Sequence, residues 1–291
     1  MPTTPESPEH VRWLSDPPEL RDPILIAAFE GWNDAGDAAT TAAGHLADRL
    51  DATPLVEIDP EPFYDFNTTR PLVQLDDDNQ RSLIWPTNLL RAARVAGATS
   101  DVIVLVGLEP QLRWRTFCGQ LTDLATQLGV SKIITLGALL ADVPHSRPVE
   151  IYGATDDPAL MAQLDLTQSS YEGPTGIVGV LATECKAAGF ATASFWAAVP
   201  SYVPGAPSPK AALALVHRVC EMLGTSVYVT DLEIASATYE RQVNELIAED
   251  EETADYVSDL EQVWDANEDH DLDDNPELLV AEVEEFLRDK E

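Results

Sequence analysis

The sequence predicts an α/β protein of three layers, a mainly parallel sheet covered by helices on both faces, with a C-terminal acidic helical extension. Two observations predict this architecture. From residue 24 to residue 223, short apolar or β-branched runs alternate with amphipathic stretches of helix length. Strands separated in this way form βαβ crossovers, whose parallel sheet needs cover on both sides. Charge then divides the chain. It holds 51 acidic and 17 basic residues for a net charge of −34, and residues 231–291 alone carry 23 acidic and 3 basic groups. A boundary near Thr230 therefore separates an α/β body, residues 21–230, from the extension, residues 231–291. Residues 1–20, rich in Pro and Glu, read as a flexible or loosely docked arm.

Each element has its own signal. Residues 24–29 are a continuous apolar run and read as a buried strand. Residues 37–50 set Ala39, Ala42, Ala43, Leu46 and Leu50 on one helical face. Residues 55–58 and 82–85 are strand candidates with a loop-rich stretch between them. Residues 101–106 give the clearest buried strand, followed by a helix over 114–128. Strands follow at 132–136 and 149–152, then helices at 158–164 and 177–188. A strand spans 190–199, and a helix at 209–223 opens with Pro209 in its first turn. The extension reads as helices over 232–247, 251–264 and 276–287. In the second of these, Tyr256, Leu260 and Trp264 belong to an apolar stripe that must meet either the body or another copy.

Composition removes several functions. Nucleic acid and anionic lipid both demand basic surface, which this chain lacks, and no apolar run approaches the ~18 residues of a membrane span. The first residues lack the basic and apolar segments of a signal peptide, so a cytoplasmic protein is expected. Cys118, Cys185 and Cys220 are odd in number and lie in apolar text, which suits reduced core thiols. The five histidines, at 10, 45, 145, 217 and 270, share no ligand spacing. The acidic run 265–276 has His270 where a calcium loop needs Gly and Pro276 where it needs Glu, so it reads as a solvated linker. No metal and no cofactor are expected.

Ligands of a parallel sheet sit beyond the carboxyl ends of its strands, which directs attention to the loops there. The first, residues 30–37, offers Trp32, Asn33 and Asp34 just before a helix, either as a helix cap or as groups for a polar ligand. The second, GLEPQLRWR at 107–115, gathers Glu109, Arg113 and Arg115, which a surface ion pair would also explain. The third places Asp142, His145, Ser146 and Arg147 within six residues, but without a nucleophile elbow. The fourth, YEGPTGIVG at 171–179, contains Gly173, Thr175 and Gly176. It matches neither a dinucleotide fingerprint nor a Walker loop, and Thr175 is a natural cap for the helix that follows.

In combination these loops carry a resemblance. GWNDAG at 31–36, LADVPHSRP at 140–148, GPTGI at 173–177 and WAAVPSY at 196–202, in this order, resemble the proteasome assembly chaperone 2 family in its bacterial, actinobacterial form. The resemblance covers about residues 20–265. It implies an α/β/α body related to the phosphorylase/hydrolase-like fold, a homotrimer, and a role as an assembly chaperone with proteasome subunits as partners. Relatives can dock proteasome pockets through a terminal hydrophobic-Tyr-any tripeptide; this chain ends FLRDKE at 286–291, so that docking mode is not expected. The chain thus reads as a homo-oligomeric interaction protein rather than an enzyme, with Tyr256, Leu260 and Trp264 as oligomer or partner contacts. The alternative is an enzyme or binder of a nucleotide, nucleoside or phosphorylated metabolite at the strand-end rim. An ATP-grasp-like carboligase label applied to some relatives has no motif here to support it.

Overall fold

The computed structural model describes residues 9–272 apart from 77, 78 and 170. In chain order it contains β1 (Val11–Trp13), β2 (Ile24–Glu30), a 3-10 turn (Ala35–Asp37), α1 (Ala38–Arg49), β3 (Thr53–Ile58), β4 (Leu72–Leu75) and β5 (Arg81–Ile84). These are followed by β6 (Asn88–Ala93), β7 (Val102–Leu108), α2 (Trp114–Gln127), β8 (Lys132–Ala141), β9 (Ile151–Thr155), α3 (Pro158–Leu164) and α4 (Ile177–Ala187). The last elements are β10 (Ala191–Pro200), α5 (Pro209–Leu223), α6 (Thr230–Ile247) and α7 (Glu251–Leu272). The expected helix at 276–287 lies outside the described residues.

The main sheet has eight strands in the order β1-β3-β6-β7-β2-β8-β10-β9. Its four central strands, β7, β2, β8 and β10, are parallel, as the alternation predicts. The flanks are antiparallel, so the sheet as a whole is mixed. The chain between β6 and β7 is too short to hold a crossover helix, and only a reversal fits. Period-two alternation in β2 distributes the core. Ile24, Ile26 and Ala28 face α1 and α5, whereas Leu25, Ala27 and Phe29 face α2 and α4. The alanines of α1 let that helix lie close to the sheet and to α5.

Three strands were not anticipated. β1 lies within the expected arm, yet Val11 pairs with Ile58 and Trp13 with Val56, so the arm is docked from His10 onward. β6 reads NLLRAA, in which Leu, Arg and Ala are good helix formers, and is held extended by pairing on both sides. β4 pairs with β5 in a separate two-stranded ribbon. The acidic run expected as a linker from residue 265 instead continues α7 to Leu272, because no Gly or Pro interrupts it before Pro276. In the extension, α6 packs beside α5, and Tyr239, Val243, Ile247 and Val257 form a small core with Val203. All three cysteines are free and buried.

Candidate functional site

The carboxyl ends of β7, β2, β8 and β10 converge on one edge of the body, where the sequence places its candidates. The structure sorts them into two groups. In the first, Glu109 follows β7 and its Oε1 accepts from Asn33 Nδ2 at 2.9 Å and from the Ile177 backbone N–H at 2.9 Å. A carboxylate from a remote loop thus caps α4, where the unpaired N–H groups and the helix dipole favour negative charge. Thr175, expected to cap this helix, is exposed and does not: the cap position is Gly176, and no side chain of its own segment serves it. Gly176 is required by packing, since a Cβ there would lie 2.3 Å from Asn33 Nδ2. Asn33 is buried, and its Oδ1 has no hydrogen-bond partner among the described residues.

Asp34 closes the first group. Its Oδ1 accepts from Ala39 N–H at 2.6 Å, and its other oxygen accepts from the Thr40 hydroxyl, so it caps α1 from within the turn before it. Burial pushes the Asp34 carboxyl above its ordinary value, and the bonds from Thr40 and Ala39 only partly reverse this. Trp32 stands 67% exposed beside these buried groups, and Gly173 is likewise exposed. Arg113 and Arg115 do not pair with Glu109, and neither makes an ion pair among the described residues. The ion pair expected in this loop is replaced by the Glu109 bridge, because Glu109 turns inward to the α4 N-terminus.

The second group meets the extension. His145 is buried, with Nδ1 2.9 Å from the Tyr202 hydroxyl and Nε2 3.2 Å from Asn244 Oδ1 on α6. Tyr202 also accepts from the His145 backbone N–H at 2.7 Å, and Lys210 donates to the His145 carbonyl at 2.7 Å. Arg147 makes a bidentate pair with Asp265 on α7, at 2.7 and 2.8 Å, and Ser146 donates to Glu261. Tyr256, expected as an oligomer or partner contact, donates to Asp142 of its own body at 2.9 Å and sets its ring edge-on to Tyr202. Leu260 and Trp264 are half-buried. The sequence does not single out Asn244, Glu261 or Asp265 as partners. Their only signal is the i, i+4 spacing of Glu261 and Asp265, which puts two acids on one face of α7.

The geometry assigns a tautomer. Asn244 Oδ1 can only accept, so Nε2 carries the proton and Nδ1 accepts from Tyr202. Burial holds the His145 pKa below its ordinary value, helped by Lys210 and opposed by Asn244, Glu261 and Glu240. The unfolded chain therefore binds the extra proton at a higher pH than the fold does. Stability from this group is complete above about pH 6.5 and declines as pH falls from there toward the lower folded value. Melting temperature is expected to fall between pH 7.5 and pH 5.5, and the fall should shrink in His145→Gln. An identical pH response in that variant would contradict the assignment.

No group of three or more metal-ligating side chains occurs among the described residues, and no described helix is long and apolar enough to cross a membrane. A cavity of about 10 Å³, lined by His145, Lys210, Ser208 and Tyr239, is large enough for one water.

Comparison with known proteins places this arrangement. The PAC2 family model matches residues 28–247. A Mycobacterium tuberculosis proteasome-assembly chaperone homologue of known structure is 46% identical, with 80% of this chain and 99% of that one covered and a TM-score of 0.73. A PAC2 family protein from Streptomyces avermitilis is 44% identical, covering 81% of this chain and 100% of that one, with a TM-score of 0.75. An archaeal proteasome activator from Pyrococcus furiosus shares the fold at 18% identity, with a TM-score of 0.67 over 81% of this chain and 97% of that one. No curated protein matches. The match over most of the body, together with the two actinobacterial structures, shows that this chain belongs to the PAC2 family.

Proposed function

We propose that this chain is a non-catalytic, self-assembling interaction protein of the assembly-chaperone type, a cytoplasmic homotrimer with proteasome-related partners. The observation that carries the reading is the use of the strand-end rim. Three of the charged groups that a polar or anionic ligand could use are bonded to the chain itself: Glu109 holds the α4 N-terminus and Asn33, Asp34 holds α1, and Arg147 holds Asp265. His145, the one imidazole among the candidates, has both ring nitrogens engaged in a buried network. A general base needs access to a substrate proton, which this placement does not provide. Exposed aromatics such as Trp32 and Tyr171 remain on the surrounding loops, and residues of this kind anchor protein partners. The relative named as a proteasome-assembly chaperone homologue supports proteasome-related partners.

The test is thermal denaturation of the full chain with nucleotides, nucleosides and sugar phosphates at millimolar concentration. Ligand at 100 times its Kd would add about 2.7 kcal/mol, a rise of roughly 4–5 °C for a chain of this size. A flat response is expected. A saturable rise that disappears in Arg147→Ala would establish the small-ligand alternative instead.

A further inference from the structure

The composition of α7 works against its being a helix. Residues 251–272 hold nine acidic side chains and neither Lys nor Arg. Glu251, Asp255 and Asp259 stand four residues apart, as do Glu261, Asp265 and Asp269, so like charges repel along the helix at i, i+4. Glu268, Asp269 and Asp271 crowd the negative end of its dipole. Only the start supports itself, where Asp250 accepts from the Thr253 N–H at 3.3 Å and from the Thr253 hydroxyl. Packing adds little: among side chains 251–266 only Val257 is buried, and it joins the small cluster of Val203, Tyr239, Val243 and Ile247. The buried indole N–H of Trp264 has no hydrogen-bond partner among the described residues, a cost that release into water would remove.

What opposes the repulsion comes from the body. Arg147 binds Asp265 through two nitrogens and lies 3.6 Å from Glu261, so one cation bridges two members of an acidic row. Its hydrogen bond and charge hold the Asp265 carboxyl below the usual carboxylate range. No other Lys or Arg is ion-paired with α7 among the described residues. The bonds of Ser146 to Glu261 and of Asp142 to Tyr256 complete the hold, so residues 142–147 carry it. A helix that repels itself, buries one side chain and is gripped by one cation opens at a lower free energy than the body. We propose that α7 is a strap, docked and helical while Arg147 holds it, that covers the apolar surface of Val203, Val243 and Ile247 and bares it when that grip is lost. This goes beyond the self-assembly reading and does not depend on it, because every contact it uses lies within one copy.

Hydrogen exchange of the full chain, read by mass spectrometry, separates the strap from the body. In the wild type, amides of residues 251–266 are expected to exchange faster than those of β2, β7, β8 and β10. Arg147→Glu should speed exchange in the strap by about tenfold or more, the effect of losing a bidentate charged pair. The central strands should be unchanged, and the fluorescence of anilinonaphthalene sulfonate should rise as the apolar surface is bared. Asp265→Arg, at a side chain 53% exposed and so tolerant of replacement, should do the same even though it gives α7 the cation it lacks. The two substitutions together should restore protection. Strap amides as slow as the central strands in the wild type, or unmoved by either single variant, would overturn the proposal. A double variant as fast as the single ones would also overturn it. So would a loss spread evenly into the central strands, which would make α7 part of the core.

Discussion

Glu109→Ala is expected to destabilise the chain by about 2–4 kcal/mol, because it removes one acceptor from two donors in two different segments. Asn33 Nδ2 and the Ile177 N–H both lose their partner. Asn33 is almost fully buried and would keep both ends of its amide unpaired, since its Oδ1 already has no partner. Leaving a buried donor unsatisfied costs ~1–3 kcal/mol, and loss of a charged cap from α4 adds about 0.5–2 kcal/mol. Glu109→Gln should recover part of the loss, as an amide oxygen still accepts but carries no net charge. Urea denaturation with an unchanged m-value would report the difference. A change below about 0.5 kcal/mol, the range of ordinary surface substitutions, would mean that the bridge between these loops is not what holds the rim together.

Asp101→Ala is expected to cost a similar amount, about 2–4 kcal/mol, at the opposite end of the sheet. The Asp101 side chain is completely buried and accepts from Arg21 N–H at 2.7 Å, Arg21 Nη2 at 2.7 Å and Val95 N–H at 2.9 Å. Removing it strands two backbone donors and releases the segment that leads from the N-terminal arm into β2. The guanidinium of Arg21 is half exposed and can turn to water, which limits the loss. Burial alone would push the Asp101 carboxyl up, but the bonds from Arg21 and Val95 more than offset it and hold the group below the usual carboxylate range. Its contribution is therefore complete above about pH 3.9 and lost as pH falls through the lower folded value. The acid limb of the stability curve should flatten in Asp101→Asn relative to the wild type. An unaltered limb would contradict the assignment.

The sequence disclosed what is local. β2, β7 and β10 are apolar runs of strand length, and α5 opens with Pro209 in its first turn, as its sequence suggests. Asp34 could be read as a cap because its helix begins a few residues later. The arrangement of the rim was not legible, because its bonds join distant segments. Glu109 reaches a helix 68 residues away, and Arg147 an acid 118 residues away. Nothing in TGI at 175–177 shows that a carboxylate from elsewhere displaces Thr175 as the cap. β6 escaped notice because Leu, Arg and Ala are at home in helices, and the pairing that overrides them comes from β3 and β7. β4 lacks the alternation of a half-buried strand for a related reason: neither face rests on the body.

On the proposed function, copies of this chain assemble while the strand-end rim stays occupied by the chain's own side chains. Native mass spectrometry of the full chain freshly purified from its own host, recorded directly and again after mild denaturation, tests both halves at once. A multi-copy mass that resolves into bare polypeptide, with no small molecule at stoichiometric occupancy, is the expected result. A single-copy species, or a nucleotide or phosphorylated metabolite released one per chain on denaturation, would contradict it.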